Sequence, residues 1–282
     1  MEVQELQNIA SQVRRDIVRM VHKVQSGHPG GSLGCVEFFT ALYFHQLRYS
    51  ANPFQLDGKN EDLFFLSNGH ISPVYYSVLA RSGHFPVAEL NSFRALNSRL
   101  QGHPTTHEGL PGVRIASGSL GQGLSVAIGA ALSKKLNGDK HMVFSLHGDG
   151  ELQEGQIWEA AMYAGAKKVD NLIATIDANG QQIDGATKDV LPLGDIGNKF
   201  ASFGWQVMEI DQGNDMQTVV NGLNQAVGLS GQGQPVLIVM HTAMGAGVDF
   251  MEGTHEWHGI APNDEQLARA LQQLPETLGD YA

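Results

Sequence analysis

The chain has 282 residues, with 18 Lys and Arg against 29 Asp and Glu, a formal net charge of −11. A hydrophobic share of 42% with only 17% charged residues can fill a sizeable core, which excludes a largely disordered chain. The acidic balance, with no long basic run, argues against a nucleic-acid partner and against an anionic membrane surface, but not against one phosphorylated ligand held by a metal or a helix end.

Cys35 is the single cysteine, so an intramolecular disulfide and a thiolate metal cluster are both excluded. The opening MEVQELQNIA lacks the basic-then-apolar pattern of a secretory signal, and no apolar stretch is long enough to cross a bilayer. A reducing, cytoplasmic setting is the expectation. Glycine is in excess, 34 of 282 or about 12% against roughly 7% in average proteins. Many tight loops, or backbone lying close against a ligand, would account for it.

In chain order, Leu6, Ile9, Ala10, Val13, Ile17, Val21 and Val24 recur at helical spacing and stop at Gly27-His28-Pro29-Gly30. Leu63 to Leu66 is a short apolar strand broken by Ser67-Asn68-Gly69-His70, and Leu124 to Leu136 is a helix ending at Asn137-Gly138. A regular alternation follows. Strands are expected at Met142–Leu146, Leu172–Ile176, Trp205–Ile210 and Val236–Met240. Helices are expected at Glu154–Ala166, around Ile196–Phe203, at Met216–Val227 and at Glu265–Leu274. No repeat or linker interrupts residues 1–282, so one α/β domain is expected, a parallel sheet covered by helices on both faces. Ligands of such sheets sit beyond the carboxyl ends of the strands.

Two of those ends carry the chemistry. One reads His147-Gly148-Asp149-Gly150-Glu151; the other, Ile176-Asp177-Ala178-Asn179-Gly180-Gln181. Asp149 and Asn179 lie 179 − 149 = 30 residues apart, one strand–helix–strand unit. Adjacent parallel strands would bring a carboxylate, an amide oxygen and a backbone carbonyl to one edge, hard ligands suited to Mg²⁺ or Ca²⁺. The glycines allow close approach to a diphosphate, and the following helix offers its N–H groups. Taken alone, a Gly-Asp-Gly turn and an Asn-Gly turn are also ordinary loop chemistry. A dinucleotide site is disfavoured, because no Gly-x-Gly-x-x-Gly with a downstream acid follows the first strong strand.

Gly148-Asp149-Gly150 with Asn179 about thirty residues on resembles the diphosphate motif of thiamine-diphosphate enzymes. Further segments narrow the resemblance: Ser26-Gly27-His28-Pro29-Gly30, Leu66-Ser67-Asn68-Gly69-His70, Gln101-Gly102-His103-Pro104, Gly118-Ser119-Leu120-Gly121-Gln122-Gly123 and Trp257-His258-Gly259. In that order, from about residue 10 to about 265, they look like the N-terminal domain of transketolase. The resemblance implies a thiamine-diphosphate-binding fold and the N-terminal subunit of a split enzyme. The pyrimidine-binding and C-terminal domains are then expected on a partner chain in an α2β2 heterotetramer.

The resemblance also assigns residues. Asp149, Asn179 and the carbonyl of Gln181 would hold Mg²⁺ (or Ca²⁺) on the diphosphate, which Gly150 and Asn179 would also touch. His70 and the backbone of Gly118, Ser119 and Leu120 would line the cofactor. Glu154 matches a buried glutamate near the family's subunit interface, although an acid starting a helix is favourable for the dipole alone. His28, His103 and His258 match positions that contact the hydroxyls and leaving aldehyde of a sugar phosphate, with His258 also beside the cofactor. Imidazole suits proton movement on and off oxygen near neutral pH. The other eight histidines, His22 and His84 among them, are expected outside the site.

Three positions depart from common family patterns: Met244-Gly245-Ala246-Gly247 replaces a lysine-rich segment, Ala178 precedes Asn179, and Ser119 replaces a proline. The alternatives are another thiamine-diphosphate enzyme, of deoxyxylulose-phosphate synthase or 2-oxoacid dehydrogenase type, and a non-catalytic regulatory paralogue.

Overall fold

The computed structural model describes residues 1–282. The N-terminal helix α1 (Val3–Val24) is followed by two short helices, α2 (Pro29–Gly34) and α3 (Val36–Ala41), then strand β1 (Leu63–Leu66) and helix α4 (Ser72–Arg81). After a long loop come α5 (Gly123–Leu136), β2 (Val143–Gly148), α6 (Gly155–Ala166) and β3 (Leu172–Ala178). A small hairpin of β4 (Gln181–Gln182) and β5 (Gly185–Ala186) leads into α7 (Thr187–Val190) and α8 (Ile196–Ser202). The chain finishes with β6 (Gln206–Ile210), α9 (Met216–Leu229), β7 (Val236–His241) and α10 (Asp264–Gln273).

All five long strands are parallel, in the order β1-β2-β3-β7-β6. Side chains alternate between two apolar layers. Phe64, Leu66, Phe144, Leu146, Ile173, Ile238 and Met240 pack into a core with α1, α3, α4 and α9. Leu63, Phe65, Val143, Leu172, Ala174, Leu237 and Val239 face α5, α6 and α8. Burial on both faces explains the unbroken apolar strand sequences, since a half-exposed strand would alternate. The expected α/β architecture is therefore present, with boundaries shifted by one to three residues at fraying ends. Asp195, Asp215 and Asn263 cap the starts of α8, α9 and α10 by accepting backbone N–H groups.

Three helices left no periodic signal. α2 and α3 are buried at every residue, and α4 from Ser72 through Ala80. A helix enclosed on all sides has no polar stripe to mark its period. They matter because α2 carries His28 at its start and α4 follows His70. No helix is long and apolar enough to cross a membrane.

Candidate active site

The carboxyl ends of β1, β2, β3 and β7 open on one side of the sheet, and a cavity of about 350 Å³ lies there. The sheet order puts the exits of β2 and β3 side by side, with Gly148 paired to Asp177 and Ala178 to His241 of β7. Sequence segments more than a hundred residues apart thus share one edge.

Asp149 is buried, 5% exposed, at the head of that cavity. Its Oδ1 accepts the N–H of Gly150 and its Oδ2 the N–H of Gly180, both at 2.7 Å. The Gly150 amide is thus turned onto Asp149, and the next residues form a 3₁₀ turn, not the first turn of α6. Asn179 donates its Nδ2 to Asp177 Oδ2 at 2.7 Å and accepts the N–H of Gln181 on Oδ1 at 2.9 Å. A lone pair on Oδ1 remains free, because an amide oxygen has two. Asp177 is fully enclosed and also accepts the hydroxyl of Thr242. Neither Asp149 nor Asp177 has a basic partner. Burial first, and the charge of Asp177 second, push Asp149 up to about 7, although the Gly180 and Gly150 amides pull the other way. Burial likewise raises Asp177. Two neighbouring carboxylates without a cation, beside an amide and a main-chain carbonyl, form a donor set of the kind that hard divalent ions satisfy.

Opposite them the histidines converge. The His28 ring lies 5.1 Å from His70, 6.2 Å from His103 and 5.6 Å from His258, and His70 stacks on His258 at 5.2 Å. His28, His70 and His258 line the cavity, whereas His103 is exposed at its mouth. Burial, then the neighbouring His258, Arg94 and His103, holds His28 at about 4, so it is neutral near pH 7. Burial lowers His70, His103 and His258 too. The Nδ1 atoms of His28 and His258 are enclosed without a hydrogen-bond partner. Neutral rings can accept or pass a proton at a bound oxygen through a nitrogen that faces the cavity.

Gly118 and Leu120 line the cavity, but Ser119 does not and is exposed. Gly118 has φ +142° and its missing side chain leaves room for the His103 ring, 3.1 Å from where a Cβ would stand. Met244 lines the opposite wall, and Gly245 donates its N–H to the Gly30 carbonyl at 2.8 Å, fixing this departure from the lysine-rich pattern against α2. Glu154 stands at the rim as the residue before α6, exposed in this chain; the buried glutamate of the segment is Glu151, 2% exposed. His22 and His84 lie outside the site, but His84 is buried, stacked on Tyr49 at 5.2 Å.

Several residues join the site without a clear signal in the sequence. Arg94, at φ +56°, donates Nη1 to Ser26 Oγ at 2.8 Å beside His28 and His103, and its Nε is enclosed without a partner. Asn68 is 1% exposed, with its Oδ1 unpartnered at the cavity wall. Ile183, at the tip of the β4–β5 hairpin, supplies an exposed apolar edge to the cavity. Only the Asn-Gly-His context of Asn68 hints at a role. A lone arginine and a lone isoleucine in loops carry no local signal.

The family model for transketolase, described as its thiamine diphosphate binding domain, matches residues 6–277. This chain belongs to the transketolase family. One of the subunits of the apulose-4-phosphate transketolase of Actinobacillus succinogenes is 39% identical to it over 273 residues, 96% of each chain. The 6-deoxy-6-sulfo-D-fructose transketolase subunit SqwG of a Clostridium species is 36% identical over 270 residues, again 96% of each. The crystal structure of transketolase from Campylobacter jejuni aligns with a TM-score of 0.87 and 33% identity, over 97% of this chain but 43% of its own. The transketolase domain thus matches proteins named as subunits over nearly their full length, and a longer transketolase over less than half. Its cofactor is thiamine diphosphate, and its chemistry is that of a transferase. The cavity fits that cofactor: backbone glycines and the buried, cation-free carboxylates at the Asp149 end, stacked imidazoles and Ile183 towards the other.

Proposed function

We propose that this chain is the cofactor-binding N-terminal subunit of a two-chain transketolase that moves a two-carbon ketol unit from a ketose phosphate to an aldose phosphate. The observation that carries the reading is the convergence of His28, His70, His103 and His258 on one cavity whose far end is built by Asp149 and Asn179. When bound, thiamine diphosphate supplies the carbanion chemistry that breaks and remakes the carbon–carbon bond. The protein's part is to hold it and to manage protons and charge around the sugar.

Asp149, the side-chain oxygen of Asn179 and the carbonyl of Gln181 would hold Mg²⁺ (or Ca²⁺), cancelling the charge that Asp149 and Asp177 place at that end. Asp177 keeps the Asn179 amide turned so that its oxygen, not its nitrogen, is free. His28, His103 and His258 take and return protons at the sugar oxygens. Arg94, half-buried between Ser26 and the histidines, supplies the positive charge for an anionic sugar.

The partner would carry the pyrimidine-binding domain and the carboxylate that activates the aminopyrimidine, in a heterotetramer with two copies of each chain. The naming of relatives as subunits supports this. The single buried thiol of Cys35 suits a reducing cytoplasm. The test is two-carbon transfer across a panel of ketose and aldose phosphates, with and without the co-expressed partner, together with the mass of the complex. Turnover by this chain alone, free of any partner by mass spectrometry, would overturn the two-chain reading. No turnover on any donor with the partner present would overturn the activity.

A further inference from the structure

The segment after Asp149 contains a buried carboxylate whose oxygens are both consumed inside the protein. Glu151 Oε1 accepts the N–H of Gly121 at 2.8 Å and the hydroxyl of Ser67. Glu151 Oε2 accepts the N–H of Gly148 at 3.1 Å. Ser67 Oγ in turn accepts the N–H of Gly123 at 3.0 Å. These donors come from three separate loops. Ser67 follows β1 and precedes Asn68 and His70. Gly121 and Gly123 follow Gly118 and Leu120. Gly148 ends β2 and precedes Asp149. Each loop therefore puts a cavity-lining residue within three positions of a hydrogen bond in this one network.

Packing at these points leaves no slack. A Cβ on Gly123 would stand 2.4 Å from Ser67 Oγ, and one on Gly121, at φ +84°, would stand 2.9 Å from Glu154 Cβ. The loop before α5 is thus pressed onto the ends of β1 and β2, and only a group that accepts on both oxygens satisfies the donors there. A carboxylate does so. An amide of the same shape offers one oxygen and turns its NH₂ on a donor.

We propose that Glu151 is a positioning residue that sets the spacing of the three loops around the diphosphate end of the cavity, and so determines the affinity for thiamine diphosphate without touching the reacting atoms. Ser67 extends its reach to α5. The proposal rests on the reading that this cavity holds thiamine diphosphate.

The test compares wild type, Glu151→Gln, Ser67→Ala and the double variant, each purified with the partner chain, with Asp149→Ala as a control. Measured are the Kd for thiamine diphosphate at fixed Mg²⁺ by calorimetry, the melting temperature without cofactor, and kcat at saturating cofactor. Hydrogen–deuterium exchange is followed at Gly121 and Gly148. Losing a hydrogen bond to a buried charge should weaken cofactor binding on the order of tenfold in Glu151→Gln. Ser67→Ala should weaken it less, and the double variant no more than Glu151→Gln alone, because both act through one network. Exchange at Gly121 should quicken and the cofactor-free melting temperature should fall in Glu151→Gln, because a buried donor loses its acceptor, while kcat at saturating cofactor stays near wild type. Wild-type affinity in Glu151→Gln beside a loss in Asp149→Ala would overturn the proposal, as would strictly additive losses. A lowered kcat at saturating cofactor would overturn it as well. Absence of thiamine diphosphate binding by the wild-type complex would overturn the cofactor reading itself, and this proposal with it.

Discussion

Asp149 and Gly180, thirty-one positions apart, are joined at the edge of the sheet by a 2.7 Å hydrogen bond from the Gly180 N–H to the Asp149 carboxylate. The bond locks the exit of β2 to the exit of β3, so that Asn179 and Asp149 face one space before any ligand arrives. A positive φ of 71° at Gly180 turns its amide back onto Asp149. Side-chain-bearing residues rarely adopt that backbone angle.

Metal and cofactor should act together at Asp149. Thiamine diphosphate with Mg²⁺ should stabilise the wild-type complex by ~2.7 kcal/mol at a hundredfold excess over Kd. Asp149→Ala should lose that response. Equal thermal shifts in the two proteins would remove Asp149 from the metal site.

His103→Ala should bind cofactor almost normally and His258→Ala, which loses the ring stacked on His70 in the cavity, less tightly, yet both should lose on the order of 10²–10⁴ in turnover at saturating cofactor. Steady-state kinetics beside cofactor titrations separate the two effects. Near-wild-type kcat/KM in both variants would remove these residues from the chemistry. His84→Ala, outside the cavity, should leave kcat unchanged.

His84 should instead show in stability. Burial first and Arg114 second hold it at about 4 against an ordinary 6.5. The native state therefore binds fewer protons than the unfolded chain between those values. Its contribution is complete above about pH 6.5 and is lost as the pH falls towards 4, on the order of 3 kcal/mol at most. Urea unfolding at a series of pH values should give a shallower decline in His84→Ala than in wild type over that window. Parallel curves would show that His84 does not contribute to it.

Gly30→Ala tests how α2 supports His258. A Cβ there would stand 2.7 Å from Met244 Cγ and 2.8 Å from the Trp257 carbonyl oxygen. The segment bearing His258 must then move. A misplacement of about 1 Å would cost on the order of a hundredfold in turnover where proton transfer depends on position. Melting temperature and kcat measured together should show the larger loss in kcat, and unchanged kinetics would mean that the Trp257 segment adjusts without moving His258.

The amino-acid sequence by itself determined the parallel sheet and the ends at which chemistry collects. Strands buried on both faces carry unbroken apolar runs, and the helices with one wet face carry a 3.6-residue stripe. Asp149, Asn179, His28 and His70 were visible because each sits in a short polar and glycine-rich break close behind such an element, whereas His103 and His258 lie in long loops and were marked only by the family resemblance. Only the tertiary structure decided the rest. α2, α3 and α4 are enclosed and so left no stripe. Glu154 and Glu151 look alike in sequence, but the turn after β2 sends Glu151 inward, where three N–H and O–H donors compensate its burial, and leaves Glu154 outside. Arg94 comes beside His28 only because its loop meets the turn between α1 and α2, where Nη1 donates to Ser26 Oγ. Which strand end lies beside which depends on the order β1-β2-β3-β7-β6. That order is set by how whole layers pack, a long-range balance of burial that no local run of residues encodes.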